Sequence, residues 1–412
     1  MEKVIIIGGG ASGLVAAIHA KNKTNEVIIL ERNNICGKKI LVTGNGRCNY
    51  WNEDQNLKHY HSTNKDILPA ILTESNKKQV LSFFASIGIV PKIKNGYYYP
   101  FSNQATSIKN ALVLEAVKEG IKIKNNCLVT NIEKCKDKFV VSTTTEKIIA
   151  DKLIIATGSK ATPKTGSDGM GYDFVSKFNH TIIKPLPALV QLKTTGSYLK
   201  QWAGIRADVT LSLYENNNLI KKESGQLQLT DYGISGICTF NLSNYIARGL
   251  YDNKEETIKI NFLPFLPFTT KEEYLTWLEE RNSLVKNRTI KELLEGFLDH
   301  KLVDIILNQT KISVNTKYND LKKEYKYELI NNLTSFSVHV IGTHSYEQAQ
   351  VCSGGVPLSQ IDPNTMQSKI TKNLYLVGEI LDVDGDCGGY NLSFAWISGM
   401  IAGVAIKESC HD

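Results

Sequence analysis

The stretch Val4 to Gly13, VIIIGGGASG, constrains the fold of this chain more than any other segment. Its β-branched run reads as a buried strand, and it feeds directly into GxGxxG at Gly8, Gly10 and Gly13 ahead of an apolar helical segment. Gly8 permits the tight turn, Gly10 lets backbone N–H groups approach a pyrophosphate, and Gly13 lets the helix pack close to the strand. The helix start, with Ala11 and Ser12 in its first turn, adds a partial positive charge for phosphate. About twenty residues on, the next apolar run VIILER closes on Glu31 and Arg32, and Glu31 is placed to accept hydrogen bonds from ribose hydroxyls. Strand, turn, helix and acid together predict a dinucleotide site. The alternative is an ordinary strand-turn-helix of an α/β sheet.

At 412 residues and 42% hydrophobic content the chain suits two or three domains and has ample apolar material to enclose a large cofactor. Lys and Arg number 48 against 41 Asp and Glu, a formal +7, but the lysines fall in singles and pairs such as Lys77-Lys78 and Lys322-Lys323. That distribution reads as solvated faces and gives no stable nucleic-acid partner. The eight cysteines include no CxxC pair, which fits reduced thiols rather than a disulfide frame. With a strand beginning at residue 3 and no apolar run of membrane-spanning length, the expectation is a cytoplasmic protein. Nothing in the pattern specifies an oligomer.

Strand-like runs at Val4–Ile7, Val27–Glu31, Ile121–Val129, Phe139–Thr143 and Leu153–Ala156 alternate with helical spacing at Gly13–Lys21 and Thr106–Glu119. A parallel sheet with an added antiparallel element is predicted there. From about Pro187 to Leu266 short alternating runs such as DVTLSLYE predict a β-rich domain. From Thr269 to Leu333 apolar residues recur three or four apart, and Thr269-Thr270 ahead of Glu272-Glu273 reads as a helix cap. SFSVHVIGT at Ser335–Thr343 then alternates again. The predicted fold class is α/β: a Rossmann-like domain over residues 1–187 and 348–412, an inserted β-rich, barrel-like domain over 188–268 and 335–347, and a small nested helical domain over 269–334.

The other stretch dense with chemistry is NLYLVGEILDVDGDCGGYNLSFAWISGMIAGVAI. Leu374–Val377 reads as a buried strand ending at Gly378-Glu379, a turn carries Asp386, Gly388 and Gly389, and a helix follows from about Asn391, whose Gly399, Ala402 and Gly403 allow close packing. This arrangement, with the ATG turn at Ala156, Thr157 and Gly158, resembles the two-piece FAD site of the large two-dinucleotide-binding flavoprotein superfamily. In that superfamily the terminal acid holds a ribityl hydroxyl, and the last helix points its N-terminus at the flavin, where partial positive charge stabilises the reduced ring.

GKKILVTGNGRCNYWN (Gly37–Asn52), ATGSKATPKTGSDGMGYDF, GQLQLTDYGISGI, SGGVPLSQIDPNTMQSK and GEILDVDGDCGGYNLSFAW together resemble one bacterial family of FAD-dependent oxidoreductases, whose members include an enzyme reducing conjugated 3-oxo bile acids and an aminoacetone oxidase. The resemblance spans nearly the whole chain. It implies that Thr43, Gly44, Gly46, Arg47, Cys48 and Asn49 lie near the flavin, Lys39 near the ribityl-pyrophosphate segment, Val129 by adenine, and Gly378, Glu379, Asp386, Gly388, Gly389, Tyr390, Asn391 and Leu392 at the flavin half. The chain departs from the family at Gly96-Tyr97, where Gly-Arg is common, and at Cys352, where Thr is.

Arg47 and Tyr390 are the candidate catalytic residues. Arg47 suits a substrate carbonyl or carboxylate, or a loop-pinning hydrogen bond. Tyr390 suits a proton donor or a plain aromatic wall. Cys48 reads as a packed thiol, and His339 and His344 as structural histidines. Asp382, Asp384 and Asp386 alternate like calcium ligands but lack the rest of that pattern, so no metal is predicted. GSDGMG at Gly166–Gly171 lacks the spacing and the strand of a second nucleotide unit, so NAD(P)H is expected only as a transient donor. The functions expected are a reductase passing hydride to a small or medium substrate such as a conjugated enone, an amine-type oxidase releasing peroxide, or a non-catalytic redox sensor.

Overall fold

The computed structural model describes residues 1–285 and 287–409, so Cys410 lies outside the described residues. The chain divides into two units, Met1–Pro187 with Tyr346–Asp412, and Ala188–Ser345.

The first unit is built on a five-stranded parallel sheet in the order Leu374–Leu376, Lys152–Ile155, Glu2–Ile7, Asn25–Leu30, Lys122–Lys124. Ile7 pairs with Ile155 on one side and Leu30 on the other, so the strand ending at Gly8 stands where the chain order reverses, the place at which such sheets open a crevice. Val4, Ile5 and Ile6 are fully buried, as a strand covered on both faces demands. The helix Ala11–Ala20 follows and packs along the terminal helix Tyr390–Ser409. A Cβ on Gly399 would stand 2.4 Å from the Ser12 carbonyl oxygen, and one on Gly403 2.6 Å from that of Ala16. The small residues of the last helix therefore set the distance between the two helices.

An antiparallel sheet of Val129–Cys135, Lys138–Thr143 and Lys147–Ala150 supplies the added element. The run Ile121–Val129, expected as one strand, is broken. Lys122–Lys124 joins the parallel sheet, whereas Val129 opens the antiparallel one. Asn126 takes the left-handed conformation, φ 53°, and the Asn126 and Cys127 amides bond to the carbonyls of Asn33 and Glu31, so the chain turns between the two.

The second unit closes a six-stranded barrel in the order Leu192–Thr194, Gly233–Ser235, Asn218–Thr230, Arg206–Glu215, Glu256–Asn261, Phe336–Thr343. Leu211, Leu213, Leu227, Leu229, Ile258, Ile260, Val338 and Val340 alternate inward. The helix Ile237–Tyr251 lies within the stretch expected to be β-rich throughout. Cys238, Leu242 and Ile246, four apart and buried, carried that signal in the sequence. The helices Lys271–Leu284, Ile290–Leu294, His300–Gln309 and Lys323–Thr334 intervene before the last barrel strand. Thr270 caps the first of them in a reciprocal box with Glu273, as its spacing predicted.

Candidate functional site

The crevice of the first unit opens into a long cleft with about 1270 Å³ of non-atom space, the solvent at its mouth included. Its walls include Gly8, Gly10, Ala11, Ser12, Glu31, Arg32, Lys39, Thr43, Val129, Thr157, Gly158, Glu379, Asn391 and Leu392. The sequence had separated these residues by up to the length of the chain.

Among the described residues the helix Ala11–Ala20 has no side-chain cap and no acid in its first turn, so its positive dipole end borders the cleft without an anionic cap. A Cβ at Gly10 would meet nothing within 4 Å, whereas one at Gly8, φ 103°, would stand 2.4 Å from the Ala156 carbonyl oxygen, and one at Gly13 2.0 Å from that of Gly8. Gly8 and Gly13 thus hold the turn together, and Gly10 keeps its mouth open.

Glu31 is buried and accepts the Gly9 amide at 2.8 Å on one oxygen and the Asn33 amide and side chain at 2.7 Å on the other. It is fixed in orientation while still lining the cleft. Arg32 pairs with Asp168. Lys39 and Glu379, 340 residues apart, form an ion pair at 2.7 Å in the cleft wall, and the Cys352 amide donates to the other Glu379 oxygen at 3.2 Å. The Thr157 hydroxyl is buried without a hydrogen-bond partner among the described residues. An open mouth over an uncapped helix, an oriented acid and an orphaned hydroxyl fit the ADP and ribityl parts of FAD.

Beyond the cleft wall lie the other sequence-predicted residues, among them Gly44, Gly46, Arg47, Cys48, Asn49, Gly378, Asp386, Gly388, Gly389 and Tyr390. The loop Gly44–Cys48 carries positive φ at Gly44, Asn45, Gly46 and Cys48. Arg47 is exposed, its Nε donates to the Gly44 carbonyl at 3.2 Å and so pins the loop, and its guanidinium lies 5.4 Å from the centroid of the Tyr99 ring. Asn49 Oδ1 is buried without a partner, and a Cβ on Gly389 would stand 3.2 Å from it. The loop and the glycine turn therefore meet at Asn49.

Cys48 is fully buried, and burial pushes its thiol up to about 12. Burial likewise raises Cys36 to about 12. Brief alkylation of the folded protein near neutral pH is accordingly expected to label exposed Cys135 and to spare Cys36 and Cys48, as peptide mass mapping would show.

The sequence missed the partners of Asp386. His59 Nδ1 and His61 Nε2 each lie 3.0 Å from one of its oxygens, and His59 Nε2 lies 3.0 Å from Asp54. The His59 ring stacks on Tyr390, 4.6 Å between centroids. Asp382 accepts the amide and hydroxyl of Thr63. Burial, then Asp54, Tyr97 and Asp386 nearby, raise the Tyr390 phenol well above its ordinary range, so it keeps its proton at physiological pH. Such pairings join residues about 320 positions apart and have no local periodicity to announce them. In the second unit His339 is exposed on its strand, while His344 Nε2 is buried without a partner and burial lowers that ring's affinity for a proton.

Residues 2–405 match the HI0933-like protein Rossmann domain. A 3-dehydro-bile acid delta(4,6)-reductase of Clostridium scindens is 37% identical, covering 99% of this chain and 100% of that protein. A ribosomal RNA dihydrouridine synthase of Haemophilus influenzae is 28% identical and covers 98% of each. Among solved structures, a 3-ketosteroid delta1-dehydrogenase from Sterolibacterium denitrificans, 10% identical, aligns over 99% of this chain and 100% of that one with a TM-score of 0.51, a likeness of fold. The match over almost every residue, together with the full-length relative, places the chain in a family: it belongs to the HI0933-like Rossmann-domain proteins.

Proposed function

We propose that this FAD-dependent oxidoreductase saturates a carbon–carbon double bond conjugated to a carbonyl, with NAD(P)H as a visiting electron donor. The observation that carries the reading is the 37% identity over the full length to a 3-dehydro-bile acid delta(4,6)-reductase, joined to a cleft whose walls fit FAD. The dihydrouridine synthases, more distant, act on a ring with the same grouping, since uracil has its double bond conjugated to a carbonyl. When bound, FAD supplies two-electron transfer to carbon.

The chain supplies the rest. Gly8, Gly10, Ala11, Ser12 and Gly13 receive the pyrophosphate, Glu31 with Arg32 and Val129 the adenosine, and Thr157, Gly158, Lys39 and Glu379 the ribityl-pyrophosphate segment. Thr43 to Asn49 and Gly378 to Leu392 enclose the reactive ring. The helix Tyr390–Ser409 has no acid in its first turn, so its start favours negative charge developing there. Arg47 donates to the substrate carbonyl, and Tyr390 holds a proton for the carbon beside it.

Anaerobic mixing of the FAD-loaded protein with NADH or NADPH is expected to bleach the visible flavin band, and a conjugated 3-oxo steroid is expected to restore it. Bleaching by an amine with peroxide release in air, and none by NAD(P)H, would replace this reading with the oxidase. Absence of turnover with every donor and acceptor would leave the sensor.

A further inference from the structure

The short strand Tyr60–His61 pairs antiparallel with Asp384–Gly385, and just beyond it the Asp386 amide donates to the His59 carbonyl at 2.9 Å. That register sets His59 Nδ1 and His61 Nε2 on the two oxygens of Asp386, each at 3.0 Å. The other ring nitrogen of His59 lies 3.0 Å from Asp54, which Lys58 approaches at 3.5 Å. Acid and imidazole thus alternate along one line, Asp54, His59, Asp386, His61, with every link at hydrogen-bonding distance. Side-chain exposure falls along it from 54% at Asp54 to 21% at His59 and 7% at Asp386, so the line begins in solvent and runs inward.

Satisfying a buried Asp386 does not demand this arrangement. Two imidazoles already reach its oxygens, and nothing in that task requires the far nitrogen of His59 to meet a surface acid. An imidazole gripped on both nitrogens does one further thing: it takes a proton on one as it gives up the proton on the other. The His59 ring also lies flat on Tyr390, 15° between planes and 4.6 Å between centroids, and Tyr60 meets the same ring edge to face at 5.5 Å. Tyr390 is buried, and after burial it is Asp54, Tyr97 and Asp386 that hold its phenol above the ordinary range, so both acids of the line act on it.

We propose that Asp54, His59 and Asp386 form a proton conduit from water to Tyr390. It rests on the reductase reading for its use, since saturating a carbon–carbon double bond takes up one proton from water with each hydride. The Tyr390 O–H bond breaks as the new carbon–hydrogen bond forms, and the phenolate left behind takes a proton from Asp386. His59 refills Asp386 from Nδ1 while accepting a proton at Nε2 from Asp54, and Asp54 collects its own from water. No electron moves in these steps, and His59 and Asp54 act through Tyr390.

The test compares the first turnover with those that follow. Tyr390 starts protonated, so the first needs no conduit and the later ones do. In Asp54→Asn and His59→Phe, single-turnover oxidation of the chemically reduced, FAD-loaded protein by a 3-oxo-4-ene steroid is expected to stay within about twofold of the unmodified rate, while steady-state turnover falls at least about tenfold. His59→Phe keeps a flat ring against Tyr390, and Asp54→Asn keeps an acceptor for the Asn56 amide, so lost packing does not produce this split. Glu53→Gln removes the same charge from the exposed neighbouring residue and is expected to leave both rates within about twofold. Acetate is expected to restore steady-state turnover to Asp54→Asn, and chloride at the same concentration is not. A second readout needs no reaction: in the apoprotein with isotope-labelled histidine, the His61 ring N–H is expected to exchange with water at least about fivefold faster in the unmodified protein than in Asp54→Asn. Full steady-state turnover in His59→Phe would make His59 a stacking platform and overturn the conduit. Equal losses in single and repeated turnover, or His61 exchange indifferent to Asp54, would overturn it too. Exchange that depends on Asp54 in a protein that reduces no enone removes the reductase alone, and enone turnover indifferent to both variants removes the conduit alone.

Discussion

Gly10→Val is expected to fold and to purify without FAD. The backbone at Gly10, φ −81°, suits any L-residue, and a Cβ there meets nothing within 4 Å, so the substitution leaves the strand-turn-helix undisturbed. Its methyl groups would instead stand over the uncapped helix start, where a pyrophosphate must approach the backbone. The thermal midpoint of the apoprotein is expected to stay within a few degrees of that of the unmodified apoprotein, while FAD affinity falls about a hundredfold or more, roughly 2.7 kcal/mol. Gly13→Ala makes the contrast. Its methyl group falls 2.0 Å from the Gly8 carbonyl oxygen, backbone that cannot yield, and the variant is expected to lose stability with or without cofactor. Equal behaviour of the two variants would mean that Gly10 is a packing residue like Gly13.

The second large effect is expected in the barrel. Glu256 is 1% exposed, both its carboxylate oxygens lack hydrogen-bond partners among the described residues, and it sits opposite Glu215 in the register. Burial, then the charge of Glu215, raise its carboxyl from 4.5 to about 7, with Lys254 partly offsetting them. The folded chain therefore binds this proton more tightly than the unfolded chain does. Stability falls as pH rises from about 4.5 through about 7, and above that the full penalty persists, on the order of 3 kcal/mol. Glu256→Gln is expected to remove that slope. Thermal unfolding at pH 8 should rise by about 5 °C or more relative to the unmodified protein, with the difference shrinking toward zero near pH 4.5. Parallel curves across this range would mean that Glu256 is ionised at no cost.

What was legible in the sequence follows the range of the interactions. The strand, turn and helix from Glu2 to Ala20 and the capping box at Thr270 are local, and each was readable from residues a few positions apart. The Asn95-Gly96 dipeptide, which turns the hairpin of Pro91–Lys94 and Tyr97–Pro100, is a local signal that went unread. The break at Asn126 was hidden because apolar residues continue on both sides of it. The ion pair of Lys39 with Glu379 and the bridging of Asp386 by His59 and His61 depend on Leu374–Leu376 pairing with Lys152–Ile155 and Asp384–Gly385 with Tyr60–His61, which no spacing encodes. Resemblance placed Lys39 and Glu379 near one cofactor, and the fold brings them within 2.7 Å.

The central claim is that this chain delivers electrons to a conjugated carbonyl compound. An anaerobic single-turnover experiment tests it most directly: the FAD-loaded protein, chemically reduced and freed of excess reductant, is mixed with a 3-oxo-4-ene steroid while the visible flavin band is followed. The account predicts that the band returns at a rate that saturates with steroid concentration, and that the product carries two more hydrogens across the double bond. A flavin that stays reduced with every conjugated carbonyl offered, yet reoxidises at once when oxygen is admitted, would contradict it.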